Sequence, residues 1–271
     1  MNFTHQVVLI TGASSGIGAE LAVQLARLGC RLGLLARREE LLKQVAERVE
    51  AAGGKACVAA CDVGDAAQVA EATRKVEAEL GPIDCVVANA GMGWARKRLE
   101  FDAAGTEQLV RTNFLGMTNT FFAALPGMLA RKRGHLVAVA SLASYQGLPQ
   151  DAGYAASKAA MRIHCEGLRI ELRGTGVDVS TICPGFIRTP LTDRNEFDMP
   201  FLLEVDIATR KLVRAIGKRR RVYNYPWQLW WLIKLGMRTP RWLYDAIIGA
   251  QGAKMHTGRT QKLSNGLDPR S

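Results

Sequence analysis

The stretch "TGASSGIG", Thr11 to Gly18, joins an apolar run to a helical pattern and indicates how the first part of the chain folds. "QVVLI" before it is predicted to be a strand, and "GIGAELAVQLARLG" has helical periodicity that ends in a glycine. Glycines at positions 12, 16 and 18 let the backbone approach a ligand closely, and the free N–H groups of a helix N-terminus favour an anion. This strand–turn–helix context predicts a pyrophosphate-binding turn rather than a purely structural one.

Short apolar runs continue to alternate with helical patterns along the chain. Further strands are predicted at "RLGLLAR", "KACVAACDV", "IDCVVANAG", "HLVAVAS" and "VDVSTICPG", and "RRVYNYP" is a candidate last strand. Strands that are apolar throughout and flanked by helices form parallel sheets covered on both faces. The fold predicted is therefore α/β, a doubly wound parallel sheet (Rossmann-type) with a C-terminal helical extension.

The chain divides by composition into three parts. We predict a catalytic domain over residues 1–217, which includes a substrate lid over residues 190–216. A basic aromatic segment follows at 218–254, and the polar residues 255–271 are predicted to be a flexible tail.

Composition argues against a membrane-spanning or secreted protein. No stretch reaches the roughly 18 to 20 apolar residues of a spanning helix, and "MNFTHQVVLITG" lacks the features of a signal peptide. The six cysteines are scattered without the spacing of a metal site, which predicts buried thiols and no bound metal. We expect a cytoplasmic protein, with peripheral attachment at the inner face of a membrane left open.

Two polar side chains in "YAASK" form a candidate catalytic pair. Tyr154 and Lys158 lie four residues apart in a predicted helix and so share a face. A nearby ammonium is expected to lower the pKa of the tyrosine from about 10, which suits proton exchange near neutral pH. Ser141 ends a predicted strand thirteen residues earlier, with Ser144 as a competing serine. Ser141 lacks the G-x-S-x-G turn of many serine hydrolases, which disfavours nucleophilic catalysis.

Together "TGASSGIG", "ANAG", "YAASK" and "PGFIRTPL" resemble the short-chain dehydrogenase/reductase family, over about residues 5–191. Ala88 stands where the family usually has the first Asn of N-N-A-G. The resemblance implies that Tyr154 is the general acid or base and that Ser141 hydrogen-bonds the substrate oxygen. It further implies that Lys158 holds the nicotinamide ribose and that Asn113, in "RTNFLG", positions a water beside Lys158.

The resemblance also implies a nicotinamide cofactor, and the residue after the second strand predicts which one. An acid there would bind the ribose 2′-hydroxyl of NAD, whereas Arg37 can pair with a 2′-phosphate, which favours NADP(H). Arg38 is expected to be a solvated arginine at a helix start. The implied cofactor-binding residues are Gly12, Ser14, Ser15, Gly16, Ile17, Gly18, Arg37, Asp62, Val63, Asn89, Ala90, Gly91, Tyr154, Lys158, Pro184, Gly185, Ile187 and Thr189.

The expected function is NADP(H)-dependent hydride transfer that reduces a lipophilic aldehyde or ketone, or oxidises the matching alcohol. The alternative is an NADP(H)-binding sensor or scaffold with little turnover. Relatives dimerise through helices that correspond to residues 103–131 and 154–173, which implies a homodimer or homotetramer.

The stretch "YNYPWQLWWLIKLGMRTPRWLY", Tyr223 to Tyr244, holds four of the five tryptophans. Between Arg210 and Lys254 there are eleven Lys and Arg but one acid, so this segment carries +10 of the net charge of +11. Its interpretation stays open between a peripheral membrane contact through 218–248 and packing at a dimer interface or over the substrate entrance. Nucleic-acid binding is disfavoured, because the tryptophans lie among Leu and Ile instead of on an open polar surface.

Overall fold

The structure is a computed structural model that describes residues 3–93, 102–193 and 198–249. The predicted tail at 255–271 and lid residues 194–197 lie outside the described residues.

A parallel sheet of seven strands confirms the predicted doubly wound architecture, with strand order β3-β2-β1-β4-β5-β6-β7. The strands are β1 Val7–Thr11, β2 Arg31–Ala36, β3 Lys55–Ala60, β4 Cys85–Ala88, β5 Gly134–Val139, β6 Val177–Pro184 and β7 Val222–Tyr225. The chain runs outward from β1 to β3 and then returns to β4, which pairs with the other side of β1. The strand order therefore reverses between β1 and β4, where open α/β sheets bind their ligands.

Helices cover both faces of the sheet. They are α1 Gly16–Ala26, α2 Glu39–Ala51, α3 Ala66–Leu80, α4 Ala103–Leu109, α5 Gly116–Ala130, α6 Ala152–Glu171, α7 Val205–Gly217 and α8 Trp227–Arg238. One apolar core lies between the sheet and α1, α2 and α7, and the other between the sheet and α3, α5 and α6. Every residue of β1 is buried, as its continuous apolar sequence requires.

A π-helical turn, Val110–Leu115, separates α4 from α5, although the sequence has helical periodicity throughout this region. Such a turn holds one residue more than an α-helical turn and changes the direction of the side chains within it. Gly116 follows the turn, and a Cβ there would lie 2.6 Å from a methyl carbon of Val63. The close approach fixes this helix against the loop after β3.

The C-terminal extension begins as part of the sheet. Strand β7 pairs with β6, so the sheet continues past residue 217, where the expected domain boundary fell. Helix α8 follows β7 directly, and residues 241–249 are also helical. No helix among the described residues is long and apolar enough to span a bilayer.

Candidate active site

A cleft of about 360 Å³ opens at the carboxyl end of the sheet. The predicted cofactor-binding residues that line it are Gly12, Ser14, Ser15, Gly16, Ile17, Arg37, Asp62, Val63, Asn89, Ala90, Gly91, Tyr154, Lys158, Pro184, Gly185, Ile187 and Thr189. Ser141 also lines the cleft. The predicted residues Gly18 and Asn113 lie behind the lining.

Two glycines of the first turn are needed for close packing. Gly12 has a φ of 65°, and a Cβ on it would lie 2.7 Å from the Cα of Ala90. A Cβ on Gly18 would lie 2.7 Å from Asn89 Nδ2 and closer still to the Gly12 carbonyl oxygen. Gly18 therefore allows the turn to pack against the end of β4. Gly18 itself does not line the cleft.

The N-terminus of α1 faces the cleft with properties that suit a diphosphate. Ser15 is the N-cap residue but makes no side-chain capping bond, and the first turn contains no acidic residue. The unpaired N–H groups and the helix dipole both favour a negative charge here. A dinucleotide diphosphate therefore fits this end of the cleft.

Arg38 contacts this same turn, contrary to the expectation that it is simply solvated. Its Nη2 donates to Ser14 Oγ and to Ser15 Oγ, each at 3.2 Å. Arg37 and Arg38 both line the cleft and are both exposed. Sequence position indicated Arg37 but not Arg38. The direction of the Arg38 side chain depends on how the first and second βα turns pack together, which the sequence does not give.

Thr11, which the sequence did not single out, joins the ends of β1 and β4. Its Oγ1 accepts from the backbone N–H groups of Asn89 and Ala90 at 3.1 and 3.0 Å. The Asn89 Nδ2 donates to the Thr11 carbonyl oxygen at 3.0 Å. These bonds hold "NAG" at the point where the strand order reverses.

Asn113 lies in the π-helical turn and is fully buried. Its Nδ2 donates to the Met92 carbonyl oxygen at 3.0 Å and to Ser157 Oγ at 2.9 Å, and its Oδ1 accepts from Met92 N–H at 2.8 Å. A Cβ on Gly91 would lie 3.2 Å from Lys158 Nζ and 3.3 Å from Asn113 Oδ1. Asn113 thus connects the segment after β4 to α6, one layer behind the cleft wall.

The candidate catalytic side chains Ser141, Tyr154 and Lys158 meet at the other end of the cleft. Lys158 Nζ lies 5.8 Å from the centre of the Tyr154 ring and donates to the Val139 carbonyl oxygen at 3.0 Å. Ser141 Oγ accepts from the Ala143 N–H at 3.1 Å, which caps the 3₁₀ turn Leu142–Tyr145. The competing Ser144 is buried and does not line the cleft.

Burial governs the proton affinities of the pair. It raises the pKa of Tyr154 to about 12, against an opposing contribution from a hydrogen bond with Ser141. It lowers the pKa of Lys158 to about 8. The expected net lowering of the tyrosine pKa by Lys158 is therefore not found, because removing the phenolate from water outweighs its neighbours.

Several residues of the cleft carry no signal in the sequence beyond lying next to a motif. They are Ala36, Arg38, Cys61, Thr112, Val139, Ala140, Pro190, Leu191 and Thr192. Leu191 and Thr192 come from the segment predicted to be a lid. A side chain at Gly93 would contact Leu191 at 3.4 Å, so this segment lies close to the chain that follows β4.

The sheet, the glycine turn and the Ser–Tyr–Lys end of the cleft define an α/β protein of the dinucleotide-binding class. Residues 6–199 match the short chain dehydrogenase family, and the chain belongs to that family. Its members are oxidoreductases that transfer hydride with NAD(P), so this chain is an oxidoreductase of the type acting on CH–OH or C=O groups.

Three similar proteins illustrate the range of the likeness. An uncharacterized oxidoreductase of Myxococcus xanthus is 40% identical over 243 residues, covering 90% of this chain and 96% of that protein. A metagenomic short-chain oxidoreductase solved in complex with NADP is 36% identical with a TM-score of 0.65, covering 68% of this chain and 84% of that one. A short chain dehydrogenase/reductase of Burkholderia phymatum in complex with NAD is 26% identical with a TM-score of 0.81, covering 88% and 95%.

Proposed function

We propose that the protein is an NADPH-dependent carbonyl reductase whose substrate is a lipophilic aldehyde or ketone. The observation that carries this proposal is one continuous cleft with two arginines beside Ser14 and Ser15 at one end and Ser141, Tyr154 and Lys158 at the other. Guanidinium groups suit a 2′-phosphate, and the hydroxyl and ammonium groups suit a carbonyl oxygen that gains negative charge. The similar metagenomic oxidoreductase bound to NADP supports the choice of cofactor.

The chain has residues suited to bind each part of the cofactor. The N-terminus of α1 receives the diphosphate, and Arg37 with Arg38 receives the 2′-phosphate. Asp62 and Val63 would contact the adenine, Lys158 would hold the nicotinamide ribose, and residues from Pro184 to Thr189 would contact the nicotinamide. When bound, the nicotinamide supplies the hydride that adds to the carbonyl carbon.

Ser141 and Tyr154 complete the reaction at the substrate oxygen. Both hydroxyl groups donate hydrogen bonds to this oxygen as negative charge grows on it. Tyr154 is protonated at neutral pH, with a pKa that burial raises to about 12, so it has a proton to give to the substrate oxygen as that oxygen becomes an alkoxide. The buried ammonium of Lys158 stabilises the phenolate that remains after the proton is transferred.

An NADP(H) sensor or scaffold with the same fold is the second candidate. It would need the cofactor end of the cleft but not the three polar side chains at the other end. Ser141, Tyr154 and Lys158 all line the cleft, and this favours the enzyme.

A homodimer or homotetramer accompanies the proposed activity. Helices α5 and α6 carry exposed apolar side chains, among them Phe122, Leu129, Ile163 and Ile170, the last 71% exposed. Apolar patches of this kind are typical of surfaces covered by another chain. A cytoplasmic location with peripheral contact at the inner face of a membrane, through residues 218–248, agrees with a lipophilic substrate.

The substrate class is tested by NADPH consumption with aldehydes and ketones of increasing chain length. We expect kcat/KM to rise with chain length, since each buried methylene contributes about 0.8 kcal/mol, or roughly fourfold. Equal rates for short and long chains, or a preference for charged water-soluble carbonyls, would contradict the lipophilic assignment.

A further inference from the structure

Helix α8 and helical residues 241–249 expose an unusual amount of large apolar surface. Trp227 is 66% exposed, Trp231 58%, Leu235 67% and Trp242 73%. No side chain of α8 is fully buried, although most of its residues are apolar. The rest of the described chain offers no second group of exposed tryptophans.

The two sides of α8 have different surroundings. Leu229, Trp230 and Ile233 face inward and pack on the small cluster of Ala140, Leu142 and Cys183. Trp227, Trp231 and Leu235 follow one another at intervals of four residues, so they lie in one line along the exposed side. This line, together with Trp242, is called the outer face below.

Cations lie among the tryptophans of the outer face. Lys234 Nζ lies 5.0 Å from the centre of the Trp231 ring, and Arg238 follows one turn later. Arg238 and Arg241 are exposed, and neither has an ion pair within the part of the chain that the structure describes. Residues 218–249 contain seven Lys and Arg but one acid, Asp245.

The tryptophans and cations together indicate which kind of surface covers the outer face. A second copy meeting it symmetrically would bring two strongly positive segments together, which is repulsive. The core of a protein interface is also depleted in charge, whereas here three cations lie between Trp231 and Trp242. Trp at the headgroup level and Lys or Arg near anionic lipid are both favourable at a bilayer surface.

We propose that the outer face docks on an anionic bilayer, with Trp227, Trp231, Leu235 and Trp242 inserted at headgroup depth and Arg238 and Arg241 against lipid phosphates. The docking rests on the proposed function only in one respect: the bilayer is the source of the lipophilic carbonyl substrate. Helix α8 lies parallel to the bilayer surface as an interfacial helix and does not span it.

The inner side of α8 places this surface next to the catalytic end of the cleft. A Cβ on Gly185, which lines the cleft, would lie 2.8 Å from Leu229 Cδ2. The Tyr145 ring, in the turn after Ser141, lies 4.5 Å from the Trp230 ring, and Tyr244 Oη donates to the Gly147 carbonyl oxygen at 3.0 Å. A docked bilayer is thus one helix away from the wall of the substrate site.

Vesicle flotation of the full chain tests the proposal without any substrate. We expect the protein to float with vesicles of phosphatidylcholine and phosphatidylglycerol, and not with phosphatidylcholine alone. Trp227→Ser/Trp231→Ser and Arg238→Glu/Arg241→Glu are each expected to reduce the bound fraction at least about tenfold. Leu28→Ser/Ile207→Ser and Arg74→Glu/Arg173→Glu remove exposed apolar groups or reverse exposed cations elsewhere, and are expected to float like the parent protein.

Four results would overturn the proposal, provided that circular dichroism finds each variant folded. They are no flotation of the parent protein, equal flotation on neutral vesicles, the same loss in outer-face and control variants, or a change of oligomeric state in the outer-face variants without lipid. The last result would assign the face to a second copy. Flotation without NADPH turnover would leave docking standing and sink the reductase, whereas turnover without flotation would do the reverse.

Discussion

Arg38 contacts the phosphate-binding turn more directly than its place in the sequence indicated. Its guanidinium lies 3.2 Å from the hydroxyls of Ser14 and Ser15, so both arginines after β2 can face the ribose phosphate end of a dinucleotide. The proposed preference for NADPH over NADH then depends on two side chains, of which Arg37 alone follows from the motif position.

Removal of either guanidinium should weaken the binding of NADPH and leave the binding of NADH unchanged. For Arg37→Ala and Arg38→Ala we expect the KM for NADPH to rise about 10- to 100-fold, which corresponds to the free energy of one hydrogen bond to a charged group. Initial-rate kinetics with both cofactors measures this, with the exposed Arg27→Ala as control. An equal effect on NADPH and NADH would mean that the arginines only support the turn.

His135 gives the fold a predictable sensitivity to acid. It is fully buried in β5, where its Nε2 lies 2.8 Å from Ser180 Oγ, and burial lowers its pKa to about 4. The unfolded chain binds a proton near pH 6.5 but the folded chain does not until about pH 4. Stability should therefore fall as pH drops through this window, by up to about 3 kcal/mol from this residue.

Urea unfolding between pH 4 and 7 tests this dependence. In His135→Gln, which can still hydrogen-bond Ser180, the loss of stability on acidification should be smaller than in the parent protein. The exposed His5→Gln serves as the matched control. Parallel pH curves for His135→Gln and the parent would rule out His135 as the source.

At the scale of elements, the sequence predicts most of the sheet but little of how helices present their side chains. Strands such as Val7–Thr11 are buried on both faces and so read as continuous apolar runs. The π-helical turn at Val110–Leu115 could not be predicted, because helical periodicity passes through it. The pKa of Tyr154 also escaped prediction, because spacing in a helix gives the neighbouring lysine but not the extent of burial.

The surroundings of the apolar residues of helix α8 could not be predicted from the sequence either. Some of them pack on the protein and others are exposed, and helical periodicity does not distinguish the two groups. The adjacent Trp230 and Trp231 provide a matched pair. Trp230→Ala should lower the free energy of unfolding by about 1–3 kcal/mol and reduce kcat/KM, because the Trp230 ring supports the turn that holds Ser141. Trp231→Ala should change stability by less than about 0.5 kcal/mol. Denaturant unfolding measures both, and equal losses would contradict the two-sided arrangement.

At the scale of the whole molecule, the chain arranges three functions along one edge of the sheet. The turn after β1 suits a diphosphate, the ends of β5 and β6 with α6 hold the candidate catalytic groups, and β7 with α8 adds the aromatic, cationic surface next to them. Membership of the short chain dehydrogenase family shows that the chain is an oxidoreductase. The last strand and its helix lie beyond the matched residues 6–199.

A comparison of the parent protein with Tyr154→Phe decides whether the cleft performs carbonyl reduction or only binds the cofactor. NADPH consumption with a long-chain aldehyde and NADPH binding by fluorescence are measured on both. We expect turnover in the parent protein, a loss of at least about 100-fold in Tyr154→Phe and nearly unchanged NADPH binding. Tight NADPH binding with equal and negligible turnover in both proteins would contradict the reductase and favour the sensor.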